Sequence, residues 1–195
     1  MRYVPQKNIG EIVRAIKNGK IVAVPTETVY GLAVKADDIK AINRLLVLKR
    51  REAGKGKRLT MMVPDVNDIN KYAHLNRKSE NLIRHFLPGE LTVIIPKKRS
   101  FRNNYFDHFD DIGFRIPKHK FMLKLLKKTG PLLVTSANLK GEAPCMSGKE
   151  VKQRVPGVDV IVNGKAHGGL PTTVIDLCDD TPVIKRQGGL LIVHY

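Results

Sequence analysis

The segment Pro25–Leu32, with the sequence PTETVYGL, places two hydroxyls, a carboxylate and a phenol directly after the apolar run Ile21–Val24. Pro25 cannot donate a hydrogen bond to a sheet, so strand pairing should stop there, and Gly31 tolerates backbone conformations that other residues avoid. A loop of this composition after a buried strand can bind a polar ligand. A plain polar connection between two strands fits the same residues.

A second segment, residues 49–58, carries six cations, one anion and two glycines. Arginine offers paired donors and lysine a mobile point charge, so the segment suits a polyphosphate. The GxxxxGK[ST] order of a P-loop is absent. An exposed basic loop without a ligand is the alternative interpretation.

Polar side chains also follow or precede three predicted strands. Thr135–Asn138 comes after an apolar strand, where ligands of open α/β sheets tend to bind, and Pro171–Thr173 repeats the pattern before another strand. Arg115 interrupts an apolar strand, where an unpaired charge is costly, so it should face a cleft or an anion. Arg186 ends the last strand in a similar way.

These residues must be positioned by strands that alternate with helices. Hydrophobic periodicity predicts helices at residues 8–18, 38–48, 65–86 (one or two), 119–128 and 147–154. Strands are predicted at 21–24, 32–35, 59–63, 91–95, 112–116, 132–134, 158–162, 173–177 and 183–185. The alternation predicts an α/β fold with a mixed sheet, and we expect a single domain over residues 1–195.

The composition is that of a globular protein with a strong positive charge. Lys plus Arg exceed Asp plus Glu by 35 to 18, a formal net charge of +17 that attracts nucleic acid, nucleotide phosphates or other anionic surfaces. No apolar run approaches the roughly 18 residues of a membrane span, and the N-terminus lacks the core of a secretory signal. Two cysteines and six histidines show no metal-binding spacing. We expect a cytoplasmic protein with no metal site of its own and no membrane partner.

Taken in order, the motifs resemble the YrdC-like family. They are PTETVYGL, a KxR motif at Lys49 and Arg51, PGELT (88–92), GFRIP (113–117), TSANLKGEAP (135–144), PTTVIDL (171–177) and RQG (186–188). The resemblance implies a twisted, mixed open sheet flanked by helices, with a concave basic cavity. It also implies L-threonylcarbamoyladenylate synthase activity, which joins L-threonine, bicarbonate and ATP into threonylcarbamoyl-AMP and pyrophosphate for the modification of tRNA.

The same resemblance implies roles for individual residues. Catalysis and binding of the ATP phosphates, with Mg²⁺, would fall to Lys49 and Arg51, joined in binding by Lys57. The adenylate would be held by Ser136, Asn138 and Arg186. The pocket for L-threonine and bicarbonate would be formed by Thr26, Thr28, Tyr30, Arg115, Thr135 and Thr172, with Arg115 on the threonine carboxylate.

Two departures from the family pattern leave alternatives open. The basic segment is longer than usual, so Lys55 or Arg58 can take the place of Lys57. PTTVIDL and residues 179–183 resemble the YciO-type branch, whereas Ser136-Ala137-Asn138 resembles the synthases. The alternative functions are therefore a YciO-like protein that binds tRNA or ribosomal RNA without adenylate chemistry, and a carbamoyl transferase that uses carbamoyl phosphate.

Overall fold

Ten β-strands form one mixed sheet in the computed structural model, which describes residues 1–52, 54 and 58–192. The strands are β1 Arg2–Val4, β2 Val22–Val24, β3 Gly31–Lys35, β4 Thr60–Met62, β5 Leu91–Pro96, β6 Asp111–Arg115, β7 Leu132–Ser136, β8 Val160–Val162, β9 Thr173–Asp176 and β10 Val183–Arg186. The α-helices are α1 Ile9–Lys17, α2 Ile39–Leu48, α3 Val66–Ile69, α4 Arg77–Phe86, α5 Lys120–Thr129 and α6 Gly148–Arg154.

The spatial order of the strands is β1-β8-β2-β3-β7-β4-β6-β5-β9-β10. Four neighbouring pairs are parallel (β1/β8, β2/β8, β4/β6 and β5/β9) and five are antiparallel. The predicted mixed sheet is therefore confirmed. Strand β1 was not predicted, because only one of its three residues is buried and so short a run carries no usable periodicity.

Each face of the sheet has its own hydrophobic core. Val22, Ala33 and Val134 are paired across neighbouring strands, so their side chains share one face, and there they pack against α1 and α5. The opposite face packs against α2, α3, α4 and α6 in a larger core. The apolar residues of α1 recur at the spacing of one helix face, which explains why a single stripe of this helix is buried.

Polar side chains cap the start of some of the helices. Ser147 accepts a hydrogen bond from the backbone N–H of Glu150 at 3.3 Å, and Glu150 accepts the N–H of Met146 at 3.1 Å, so both side chains cap the start of α6. Asn8 precedes α1, but its side chain makes no capping hydrogen bond. No helix in the described ranges is both long enough and apolar enough to cross a membrane.

Candidate active site

A cavity of about 270 Å³ opens on the face of the sheet that also carries α1 and α5. The register of β6, β5, β9 and β10 directs Arg115, Thr92 and Arg186 to this face. Three arginines line the cavity, Arg58 together with the two on the sheet, and they face a single carboxylate, Glu142, among the lining residues described. An anionic ligand is the chemistry that such a lining favours.

The predicted binding loop is a buried hairpin connection between β2 and β3. Thr26 Oγ1 donates to the carbonyl of Val29 at 2.6 Å and lies 3.0 Å from Thr28 Oγ1. Because the Thr26 hydroxyl donates its only proton to the carbonyl of Val29, the Thr28 hydroxyl must be the donor in the hydrogen bond between the two threonines. Arg115 Nη2 in turn donates to Thr28 at 3.0 Å. A chain of hydrogen bonds therefore runs from Arg115 through Thr28 and Thr26 to the carbonyl of Val29.

Arg115 also forms an ion pair with Glu27 of the same loop. Nη2 lies 2.9 Å from Glu27 Oε1, and the two side chains are only 7% and 15% exposed. Glu27 Oε1 further accepts the backbone N–H of Lys118 at 2.8 Å, which ties the hairpin loop to the residues after β6. The sequence prediction that Arg115 faces a cleft or an anion is met on both counts, since it lines the cavity and has a carboxylate partner.

Tyr30 is among the residues that line the cavity, and it directs its hydroxyl elsewhere. The hydroxyl contacts the carbonyl oxygens of Val162 at 2.9 Å and Gly164 at 2.8 Å, beside the end of β8. Burial raises the pKa of Tyr30 to about 12, so the phenol stays protonated at neutral pH. Its hydroxyl therefore secures the hairpin to the sheet and is not available to a ligand.

The PTT and RQG segments meet on the other side of the cavity. Arg186 donates from Nε and Nη2 to the carbonyl oxygen of Thr172 at 3.1 and 2.7 Å. The Thr172 hydroxyl lies 2.8 Å from that of Thr92. Burial, and then the nearby charge of Arg115, lower the pKa of Arg186 below its usual range. Gly188 lies so close to this segment that an added β-carbon would meet the carbonyl oxygen of Pro171 at 2.2 Å.

The TSAN segment forms the remaining wall, at the end of β7. Ser136 and Asn138 line the cavity, as does Thr135, whose hydroxyl accepts a hydrogen bond from Arg51 Nη1 at 3.3 Å. Lys49 is 1% exposed, and its ammonium donates to oxygen atoms of the same segment. Lys49 and Arg51 therefore support this wall from behind and are not among the residues that line the cavity. Burial lowers the pKa of Arg51 from its usual value.

Arg58, assigned from the sequence only as an alternative, and Thr92, assigned no role, both line the cavity. Arg58 pairs with Asp111 and lies over the ring of Phe109, 4.6 Å from its centroid. It was one of the two alternatives to Lys57, which lies outside the described residues. The signal for Thr92 was its place in PGELT at the start of a predicted strand. In the part of the chain that is described, no group of three or more His, Cys, Asp or Glu side chains is arranged to hold a metal ion.

Residues 14–188 match the family model of the Sua5, YciO and YrdC proteins, which is described as "Telomere recombination". The chain belongs to the Sua5/YciO/YrdC family. The predicted family resemblance is thus confirmed, as is the mixed open sheet by the solved structures of two relatives.

Three relatives illustrate the range of the family. A Methanocaldococcus jannaschii protein, named provisionally as a threonylcarbamoyl-AMP synthase, is 37% identical over 177 residues, which cover 90% of this chain and 83% of that protein. The structure of Pyrococcus abyssi Sua5 complexed with L-threonine superposes with a TM-score of 0.88 at 31% identity. This alignment covers 97% of the present chain but only 58% of the Sua5 chain. Escherichia coli YciO, named as uncharacterized, is 32% identical over 187 residues, 94% of this chain and 90% of YciO, and its structure gives a TM-score of 0.86.

Proposed function

We propose that this protein is an L-threonylcarbamoyl-AMP synthase, a nucleotidyltransferase that forms threonylcarbamoyl-AMP and pyrophosphate from L-threonine, bicarbonate and ATP. The observation that carries the proposal is the cavity, where the PTET, GELT, GFRIP, TSAN, PTT and RQG segments all contribute lining residues. Relatives named as threonylcarbamoyl-AMP synthases, and a relative solved with L-threonine, support the substrates.

The substrate amino acid would bind where the hairpin loop meets β6. Arg115 offers its guanidinium to the threonine carboxylate, and Glu27 and Thr28 hold that guanidinium in place through Nη2. Thr26 and Tyr30 shape the pocket for threonine and bicarbonate. Thr172 and Thr135 contribute further polar atoms to the same space.

The nucleotide would lie between the two walls to which the TSAN and RQG segments belong. Ser136, Asn138 and Arg186 line those walls and would hold the adenylate. Lys57 is a predicted phosphate ligand, and Arg58 joins it because it lines the cavity, whereas Arg51, the other predicted ligand, supports the TSAN wall through Thr135. Mg²⁺ would enter bound to the triphosphate, whose oxygens are ligands it prefers, and would neutralise charge on the leaving pyrophosphate.

The reaction then needs positioning and charge neutralisation more than a protein nucleophile. The amino group of L-threonine and bicarbonate condense to a carbamate with loss of water. A carbamate oxygen forms a bond to the α-phosphorus, the bond from that phosphorus to the bridging oxygen breaks, and pyrophosphate leaves with the electron pair. Arginines that already point into the cavity stabilise the charge that develops at the phosphate, without reorganising during the step.

Pyrophosphate release from ATP tests the proposal directly. Purified protein should release pyrophosphate in the presence of Mg²⁺ and bicarbonate only when L-threonine is added, and mass spectrometry should detect threonylcarbamoyl-AMP. The product would serve tRNA modification in the cytoplasm, either on tRNA directly or through partner proteins.

Two other outcomes would contradict the synthase proposal. A folded protein that releases no pyrophosphate, yet binds RNA with a steep salt dependence and no need for ATP, would be the YciO-like RNA-binding alternative. Turnover of carbamoyl phosphate without threonine would indicate a carbamoyl transferase.

A further inference from the structure

The buried ammonium of Lys49 is surrounded by oxygen atoms of a single turn. Nζ donates to the carbonyl of Ser136 at 2.8 Å, to the side-chain Oδ1 of Asn138 at 2.9 Å and to the carbonyl of Asn138. A lysine ammonium has three N–H donors, and each of these contacts holds the ammonium against the turn. Lys49 is thus equipped to organise the turn, whereas a phosphate ligand would have to direct its donors into the cavity.

Lys49 also decides which way the Asn138 amide points. An ammonium only donates, so the amide atom that faces it must be the oxygen. The amide nitrogen then faces the other way, where it donates to the carbonyls of Leu139 at 3.0 Å and Glu142 at 2.6 Å. Every polar atom of the Asn138 side chain therefore has a matching partner.

The orientation of Asn138 fixes the hydroxyl of Ser136 in turn. Asn138 Oδ1 can only accept, so at 2.6 Å the Ser136 hydroxyl must donate its single proton to it. What Ser136 presents to the cavity is consequently a pair of acceptor lone pairs. Phosphate and carboxylate oxygens also offer only lone pairs, and they cannot form a hydrogen bond with such an oxygen. An amino or hydroxyl group of a nucleoside can.

We propose that Lys49 is a positioning residue that acts through Asn138 to make Ser136 a hydrogen-bond acceptor for an N–H or O–H donor of the nucleoside. This inference rests on the proposed function for the identity of the ligand. It separates Lys49 from the phosphate-binding cations and assigns to Ser136 the adenosine part of ATP, through either the 6-amino group or a ribose hydroxyl.

Calorimetric titration with adenosine and with inorganic pyrophosphate distinguishes the two roles. Lys49→Met and Ser136→Ala should each weaken adenosine binding about tenfold, since each removes one ligand hydrogen bond, and should leave pyrophosphate binding within about twofold of wild type. Lys49, Asn138 and Ser136 form one chain of hydrogen bonds, called the relay below. The double variant Lys49→Met/Ser136→Ala should bind adenosine no more than about twofold more weakly than Lys49→Met alone, because both changes break this relay. Lys127→Met, on the exposed side of α5, is the matched control and should change neither affinity.

Two results would overturn the inference. Lys49→Met could lose pyrophosphate binding while it keeps adenosine, which would make Lys49 a phosphate ligand. The two substitutions could also have independent effects that multiply in the double variant, which would mean that no relay joins them.

Analogues of adenosine test whether Ser136 accepts a hydrogen bond from the nucleoside, even if Lys49→Met fails to fold. Among N6,N6-dimethyladenosine, 2′-deoxyadenosine and 3′-deoxyadenosine, one should bind the wild-type protein about tenfold more weakly than adenosine, and Ser136→Ala should abolish that difference. Equal binding of all four nucleosides by the wild-type protein would overturn the assignment of Ser136.

A failure of the proposed function would give a different result from a failure of the hydrogen-bond chain. A wild-type protein that binds neither adenosine nor ATP would overturn the nucleotide site itself. The relay would then be measured by NMR from the side-chain amide protons of Asn138, which should exchange at least about tenfold faster in Lys49→Met than in wild type. Equal exchange rates would overturn the relay.

Discussion

Replacing Arg115 with methionine should lower the free energy of unfolding by about 3 kcal/mol, because it leaves Glu27 as a buried carboxylate without its counterion. The two side chains are 7% and 15% exposed, so little water reaches the pair. Breaking a buried ion pair costs about 3–5 kcal/mol. Glu27 keeps one donor, the N–H of Lys118 at 2.8 Å, which places the expected loss at the lower end of that range.

A second substitution in the same ion pair distinguishes the effect of the unpaired Glu27 charge on stability from the effect of lost packing around Arg115. In Arg115→Met/Glu27→Gln the charge is gone, while the amide oxygen of glutamine can still accept the Lys118 N–H. The double variant should therefore regain stability to within about 1 kcal/mol of wild type. In thermal unfolding, the single variant should melt about 6–12 °C below wild type and the double variant close to it.

Urea denaturation and binding of L-threonine complete the test of this ion pair. Both variants should bind L-threonine at least about tenfold more weakly than wild type, since both lack the guanidinium that would hold the carboxylate. A double variant as unstable as Arg115→Met would refute the argument, because the stability would then come from the packing of the arginine stem and not from the ion pair.

Three other substitutions test the cavity walls. Gly31→Ala should lower stability by about 1–3 kcal/mol, because the new β-carbon would lie 2.7 Å from Val134 Cγ1, whereas Gly113→Ala, with its nearest atom at 3.7 Å, should cost less than about 1 kcal/mol in urea denaturation. Tyr30→Phe should cost about 1 kcal/mol near neutral pH through its lost hydrogen bonds. Since the pKa of Tyr30 is about 12 in the folded protein and near 10 when unfolded, wild type should lose up to about 2–3 kcal/mol relative to Tyr30→Phe as the pH rises from about 10 to 12. Arg58→Ala should raise the KM for ATP about tenfold in the pyrophosphate assay and leave the KM for L-threonine within about twofold.

Each of these predictions has a control and an outcome that contradicts it. Equal losses in the two glycine variants would mean that the contact with β7 is not tight. A stability difference between wild type and Tyr30→Phe that stays constant with pH would mean that the phenol ionises as easily in the folded protein as in the unfolded one. Arg84→Ala, on the exposed side of α4, should leave both KM values unchanged. A loss of threonine affinity in Arg58→Ala would place Arg58 on the amino acid instead of the phosphates.

The fold could be predicted from local pattern to a large extent. The hydrophobic periodicity of the helices and the apolar runs of β2 to β10 are short-range signals, and the structure contains the elements they predict. Strand β1 escaped prediction because its pairing with β8 joins residues about 158 positions apart in the chain, and nothing local indicates it.

The candidate site could be predicted only as a set of motifs. PTETVYGL, TSAN and RQG each have the composition of a ligand-binding segment, and they do meet at one cavity. Their composition does not say which side chains face that cavity. Thr92 lines it although the sequence assigned it no role, Arg58 lines it although it was only an alternative to Lys57, and Lys49, predicted to bind phosphate, directs its ammonium to the carbonyls of the TSAN turn.

The sequence by itself determined the helices, the strands other than β1, the family and the polar residue types available to the site, because these depend on periodicity and motif order within short stretches of chain. Only the tertiary structure decided the direction and partners of each polar group. The proton of Thr26 is used on a backbone carbonyl, Arg115 shares its Nη2 between Thr28 and Glu27, and Ser136 donates inward to Asn138. Arg115 lies 87 positions from Thr28 in the chain, so their hydrogen bond forms only once the sheet has brought β6 beside the loop. The short-range bonds of Thr26 and Ser136 depend on the angles and distances that the folded turns provide.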